Sequence, residues 1–109
     1  MDKLAEQREI IKQILIKYAS MPRRGVNGET IFDDAANRYL LVVQGWQETK
    51  RIYYALAHLE IINGKIWIQR DGTEHGLARE LENSGVSKNE IVLGFHEPEV
   101  RAFTDYAVA

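Results

Sequence analysis

The 109 residues contain no cysteine. That absence excludes a disulfide framework, a thiol nucleophile and zinc held by thiolates, and it is compatible with a reducing cytoplasm, the compartment expected here. Proline occurs only at Pro22 and Pro98, and each reads as a stop, the first for a helix and the second for a strand. Charge of one sign is not in excess. Fourteen Lys and Arg against 16 Asp and Glu leave a net charge of −2, so there is no overall basic field to draw in nucleic acid. Long apolar runs are missing as well: no window approaches the length of a membrane span. Met1-Asp2-Lys3-Leu4-Ala5-Glu6 carries both charge signs where a signal peptide needs an apolar core. What is present is 45% hydrophobic and 28% charged residues, the balance of one globular domain, expected over residues 1–109. A chain of this length buries roughly 65% of its unfolded surface, enough to form a core without metal or disulfide.

Residues 2–21 carry apolar side chains at helical spacing, with Leu4, Ile11, Leu15 and Tyr18 on one stripe and Ile10, Ile14 and Met21 beside it. Asp2 and Lys17 suit the two ends of the helix dipole. Arg23-Arg24-Gly25-Val26-Asn27-Gly28 reads as a loop. From Glu29 to Asp71 the pattern turns extended, and β-branched and aromatic runs predict strands at 29–34, 38–46, 51–62 and 65–70.

The sharpest local signal is Asn63-Gly64 between two apolar strands, a pair that tolerates positive φ at both positions. A two-residue hairpin there sets Ile62 against Lys65, Ile61 against Ile66, Glu60 against Trp67, Leu59 against Ile68 and His58 against Gln69. Alternation then sends Leu59, Ile61, Ile66 and Ile68 to the core. The same alternation leaves His58, Glu60, Trp67 and Gln69 on the other face.

Residues 74–84 predict a second helix with Leu77, Ala78 and Leu81 inward, Thr73 or Asp71 as N-cap and Gly85 just past its end. Ser87-Lys88-Asn89-Glu90 has the capping-box form of a short helical turn, and Ile91 to Phe95 fit a buried strand. The tail from Val100 is too apolar to hang free, so Phe103, Tyr106 and Val108 are expected to dock. The fold class is α+β: an N-terminal helix packed on an antiparallel β-meander, followed by a second helix and a short C-terminal strand.

Each chemical pattern has a plainer competitor. His58 and Glu60 at i and i+2 could hold a divalent ion, yet local geometry supplies no third ligand, and a polar sheet face explains them as well. Asp34 with Glu48-Thr49-Lys50 has the residue order of magnesium nucleases, but the triplet falls in a turn, where acid and lysine lack a rigid strand to hold them. Asp71-Gly72-Thr73-Glu74 could offer N–H groups to a phosphate, against the repulsion of its own two acids. Arg23 and Arg24 form the one adjacent basic pair in a loop and are the candidate nucleic-acid contacts. Arg38, Lys50 and Arg51 are more scattered cations, with Trp46, Tyr53, Tyr54 and Trp67 as aromatic surfaces. No cofactor is called for. Trp67, His58, Glu60 and Gln69 form the candidate interface, an aromatic ring among polar groups.

Taken as strings, Asn63-Gly64-Lys65-Ile66-Trp67-Ile68-Gln69, Asp71-Gly72-Thr73-Glu74, Ile91-Val92-Leu93-Gly94-Phe95-His96 and the terminal Phe103-Thr104-Asp105-Tyr106-Ala107-Val108-Ala109 resemble the XisI-like family. Gly45-Trp46 and Arg51-Ile52-Tyr53 add to the likeness. These are the fdxN element excision controlling factors, known mainly from cyanobacteria. The resemblance implies a small α+β accessory factor acting when a site-specific recombinase excises a DNA element during heterocyst development. It implies a XisH-type, nuclease-like companion and brings no catalytic residues. The expected function is therefore non-enzymatic regulation through protein contacts, with self-association possible and DNA reached mainly through partners. The competing expectations are a metal-dependent nuclease subunit and a direct DNA-binding factor.

Overall fold

The computed structural model describes residues 2–109. Helix α1 (Lys3–Ala19) starts where expected, because the Asp2 carboxylate accepts the Ala5 N–H at 2.8 Å and satisfies one of the unpaired donors of the first turn. Its inward stripe is Ile11, Ile14, Leu15 and Tyr18, joined by Gln7, which is only 3% exposed. Leu4, expected on that stripe, and Met21, expected beside it, lie exposed at the two helix ends. Gln7 is tolerated inside because its amide donates to the Gly64 carbonyl at 2.8 Å and so ties the helix to a distant turn.

The strands are β1 (Val26–Asp33), β2 (Arg38–Gln47), β3 (Lys50–Ile62), β4 (Lys65–Asp71) and β5 (Ile91–Leu93), lying in that order in one sheet. Strand β1 begins earlier than the glycines suggested. Gly28 passes directly under the helix, where a Cβ would come within 2.9 Å of Ala19 Cα, so this glycine permits close packing and does not break the strand. The first four strands pair antiparallel, whereas β5 pairs parallel to β4. The connection between β4 and β5 runs through α2 (Leu77–Asn83) and a 3₁₀ turn at Lys88–Glu90. A short helix α3 (Pro98–Arg101) follows, with Pro98 opening it in the first turn.

The Asn63-Gly64 hairpin forms with φ of 50° and 78° at its two turn residues, and the first four predicted cross-strand pairs are present. Leu59, Ile61, Ile66 and Ile68 are buried as alternation required, against α1, α2 and Tyr39, Leu41 and Val43 of β2. The fifth pair differs. His58 lies opposite Arg70, not Gln69, because Gln69 is an extra residue in a β-bulge and drops out of the ladder. A second bulge, at Leu56 of β3, buries Leu56 and Ala57 in succession.

Helix α2 is shorter than the expected 74–84, and neither Thr73 nor Asp71 is its N-cap. Gly76 holds that position, while Asp71 reaches across from the end of β4. One of its oxygens accepts from the Thr73 N–H and hydroxyl at 2.9 and 2.6 Å, and the other accepts from the Leu77 N–H at 2.8 Å. Glu74 and His75 therefore precede the helix. At the next turn the Ser87 hydroxyl bonds to the Glu90 side chain and not to backbone, so the capping-box pattern is used differently. The last strand stops at Leu93, and Gly94 and Phe95 belong to the turn after it.

The tail docks in part. The Ala107 N–H donates to the Ile91 carbonyl at 2.9 Å, extending the sheet beyond β5, and the Tyr106 hydroxyl donates to Glu82 at 2.6 Å. Phe103 and Val108 stay exposed, contrary to expectation. No helix among the described residues is long and apolar enough to cross a membrane.

Candidate functional site

Both helices α1 and α2 pack on one side of the sheet, so the opposite side is where exposed groups collect. Alternation in β2 sends Leu40, Val42, Gln44 and Trp46 there, and their partners in β3 are His58, Ala55, Tyr53 and Arg51. Strand β1 adds Ile31 and Glu29, and β4 adds Trp67 opposite Glu60. The face is not uniformly open. The Arg101 guanidinium lies 5.0 Å from the Trp67 ring centre, and a Cβ on Gly94 would meet both Gln69 and Trp67. The chain after β5 thus folds back over the β4 end and leaves the β1 to β3 part uncovered.

Of the four residues read as an interface, His58 and Glu60 are brought together. The imidazole Nε2 lies 3.1 Å from Glu60 Oε1, and Arg38 Nε stands 3.9 Å from the same oxygen. A carboxylate oxygen only accepts, so the imidazole donates. Trp67 and Gln69 adjoin this pair, half-buried beneath the protein's own C-terminal segment. The four share a face, with the aromatic member under Arg101.

The basic pair is divided. Arg23 donates to the Tyr18 and Met21 carbonyls at 2.8 and 3.1 Å and so satisfies the open end of α1. Arg24 is exposed and lines a cleft with Trp46 and Lys50 at the turn between β2 and β3. There the sequence held a signal that strand spacing alone could have read. A two-residue turn at Glu48-Thr49 sets Trp46 against Arg51. The Arg51 guanidinium lies 5.6 Å from the Trp46 ring centre and 5.7 Å from that of Tyr53, held by bonds to Gln44 Oε1 at 3.0 Å and the Gly45 carbonyl at 3.3 Å.

The nuclease-like residues are not assembled. Asp34 sits beyond one end of β2 and Glu48 beyond the other, a separation of about 30 Å along the strand. Asp34 is bound to the Lys12 ammonium at 2.8 Å and the Tyr39 hydroxyl at 2.7 Å, which hold its carboxyl below the usual carboxylate range. The same bond, with burial the larger cause, pushes the Tyr39 hydroxyl far up. The phosphate candidate fares similarly, because Asp71 already takes the Thr73 and Leu77 donors. Among the described residues no group of three or more His, Cys, Asp or Glu is placed to hold a metal ion.

The comparisons with known proteins agree with one another. Residues 1–108 match the model of the XisI protein family. The fold superposes with a TM-score of 0.89 on the crystal structure of a XisI-like protein from Anabaena variabilis ATCC 29413, at 39% identity over 97% of this chain and 99% of that one. It superposes at 0.83 on the fdxN element excision controlling factor XisI from the same organism, at 36% identity over 99% of this chain and all of that one. No curated protein matches this chain.

Proposed function

The chain belongs to the XisI family, and from that premise we propose that it is a non-enzymatic accessory factor in the site-specific excision of a DNA element. It acts through protein contacts made by the uncovered side of the sheet. The observation that carries this reading is the composition of that side. Ile31 is 52% exposed near the hydrogen-bonded His58–Glu60 pair and the Arg38 guanidinium beside it, an apolar surface beside polar groups of both charges, as at the centre and rim of an interface. The candidate interface comprises His58, Glu60, Trp67 and Gln69, with Trp67 half-buried under Arg101. The partners in this reading are a XisH-type accessory protein and a site-specific recombinase system in the cytoplasm, and DNA is contacted mainly through them. Further support comes from the acids of the nuclease reading, which are engaged in structural bonds or lie far apart.

The test is co-purification with a XisH-type protein expressed in the same cell. Ile31→Lys and Trp67→Ala should each reduce the recovered complex, while Arg23→Ala should leave it intact. Complex formation indifferent to Ile31 and Trp67, or magnesium-dependent DNA cleavage by this chain alone that is lost with Glu48→Gln, overturns the reading.

A further inference from the structure

At the Glu48-Thr49 turn the sheet ends in exposed aromatic rings set among cations. Trp46 is 56% exposed and Tyr53 65%, a large apolar area to leave in water unless something covers it. The two rings are held in place, because Arg51 stands against both and is itself tethered to Gln44 and Gly45. Arg24 and Lys50 border a cleft around the turn that Trp46 also lines; Lys50 alternates to the other side of β3 from Arg51 and Tyr53, and the lining includes one carboxylate, that of Glu48.

We propose that this end of the sheet binds single-stranded nucleic acid without sequence preference, stacking unpaired bases on Trp46 and Tyr53 while Arg24 and Lys50 meet phosphates. Every base has a π-face, so two fixed rings select for unpaired bases and not for sequence. A duplex is the poorer match, since its bases already stack on one another. Three cations on a chain of net charge −2 are too few to hold a duplex by charge alone. An acidic peptide would satisfy Arg24 and Lys50 but leave the ring faces unused. Contact with two or three phosphates gives affinity that falls with salt at a slope of about −2 on a double-logarithmic plot. Trp46 and Tyr53 share the open face with Ile31 but stand at its other end, about 20 Å along β2 from Leu40, the partner of Ile31, so loss of the ring contacts and loss of the Ile31 contacts are separately measurable.

The experiment titrates the full chain into a short fluorescein-labelled oligothymidylate at low salt and follows anisotropy, with tryptophan emission measured against the unlabelled strand. Saturable binding and quenching of emission are expected. Trp46→Ala should weaken binding by at least about fivefold, as loss of a base stack does. Trp46→Phe should recover most of the affinity, and Tyr53→Ala should reproduce the loss. Both positions are exposed, so melting temperatures of the variants should match the parent. An abasic strand bound as tightly as oligothymidylate overturns the proposal, because charge alone would then explain binding. So does equal affinity for a duplex of the same length or for polyglutamate, indifference to Trp46→Ala, or no binding at millimolar protein.

Discussion

Asp71 organises the passage from β4 to α2 with one carboxylate, and removing that carboxylate has a calculable cost. In Asp71→Ala three donors lose their acceptor: the Thr73 N–H, the Thr73 hydroxyl and the Leu77 N–H. The hydroxyl can turn to water and contributes little. The two backbone donors are held in the connection and part-buried, and a hydrogen bond to a charged acceptor is worth about 1.5–3 kcal/mol, less where water can replace it. A loss of about 2–3 kcal/mol is expected, a sizeable share of the ~5–15 kcal/mol that stabilises a domain of this size. Asp71→Asn keeps one carbonyl oxygen and should lose about half as much. Urea denaturation gives both values, with an unchanged slope against denaturant showing that the unfolded state is the same. Amide exchange at Leu77 should accelerate in both variants. A loss below about half a kcal/mol in Asp71→Ala, or an equal loss in the two variants, would refute the assignment of the carboxylate as the acceptor that starts α2.

Ile68 is fully buried between Leu59 and the helices, so Ile68→Ala should cost about 2–5 kcal/mol in the same assay, and a near-neutral result would mean the core face is misassigned. The bond to Glu82 pushes the Tyr106 hydroxyl up to about 12, above the ~10 of an unfolded tyrosine. The stability it adds is therefore complete below about pH 10 and is lost as pH rises through about 12. Tyr106→Phe should be less stable than the parent at neutral pH by about 1 kcal/mol. That gap should close across the alkaline window, and a gap that stays constant would show that the hydroxyl does not carry the dependence.

How legible each feature was follows from the range of the interactions that set it. The Asn63-Gly64 hairpin is fixed by residues within a few positions of each other, and its first four pairs and core face could be read directly. The bulge at Gln69 could not, because alternation of apolar and polar residues does not mark which residue leaves the ladder. The parallel pairing of β5 depends on how the chain returns past α2, and Ile91-Val92-Leu93 is uniformly apolar, a pattern that marks no direction. On the open face, His58 and Glu60 were legible as neighbours because they share a strand. Cover over Trp67 comes from Arg101 and Gly94, far along the chain. The separation of Arg23 from Arg24 has the same origin: adjacent side chains point apart, and only one of them finds the carbonyls at the end of α1.

The three-residue strand β5 has a consequence for how the protein stays in solution while it folds. Strands β1 to β4 are joined by tight turns and can zip in succession, on a timescale of about 1–10 μs per hairpin. Strand β5 must wait for the whole α2 connection to close. During that interval Ile66-Trp67-Ile68 presents unpaired N–H and carbonyl groups on an apolar edge, the arrangement through which sheets of separate molecules join. In the finished fold β5 occupies that edge, and Ala107 in turn pairs with the strand that protects it. The short C-terminal pieces therefore act as a guard against intermolecular sheet growth, and chains that have not yet seated them are the ones exposed to aggregation.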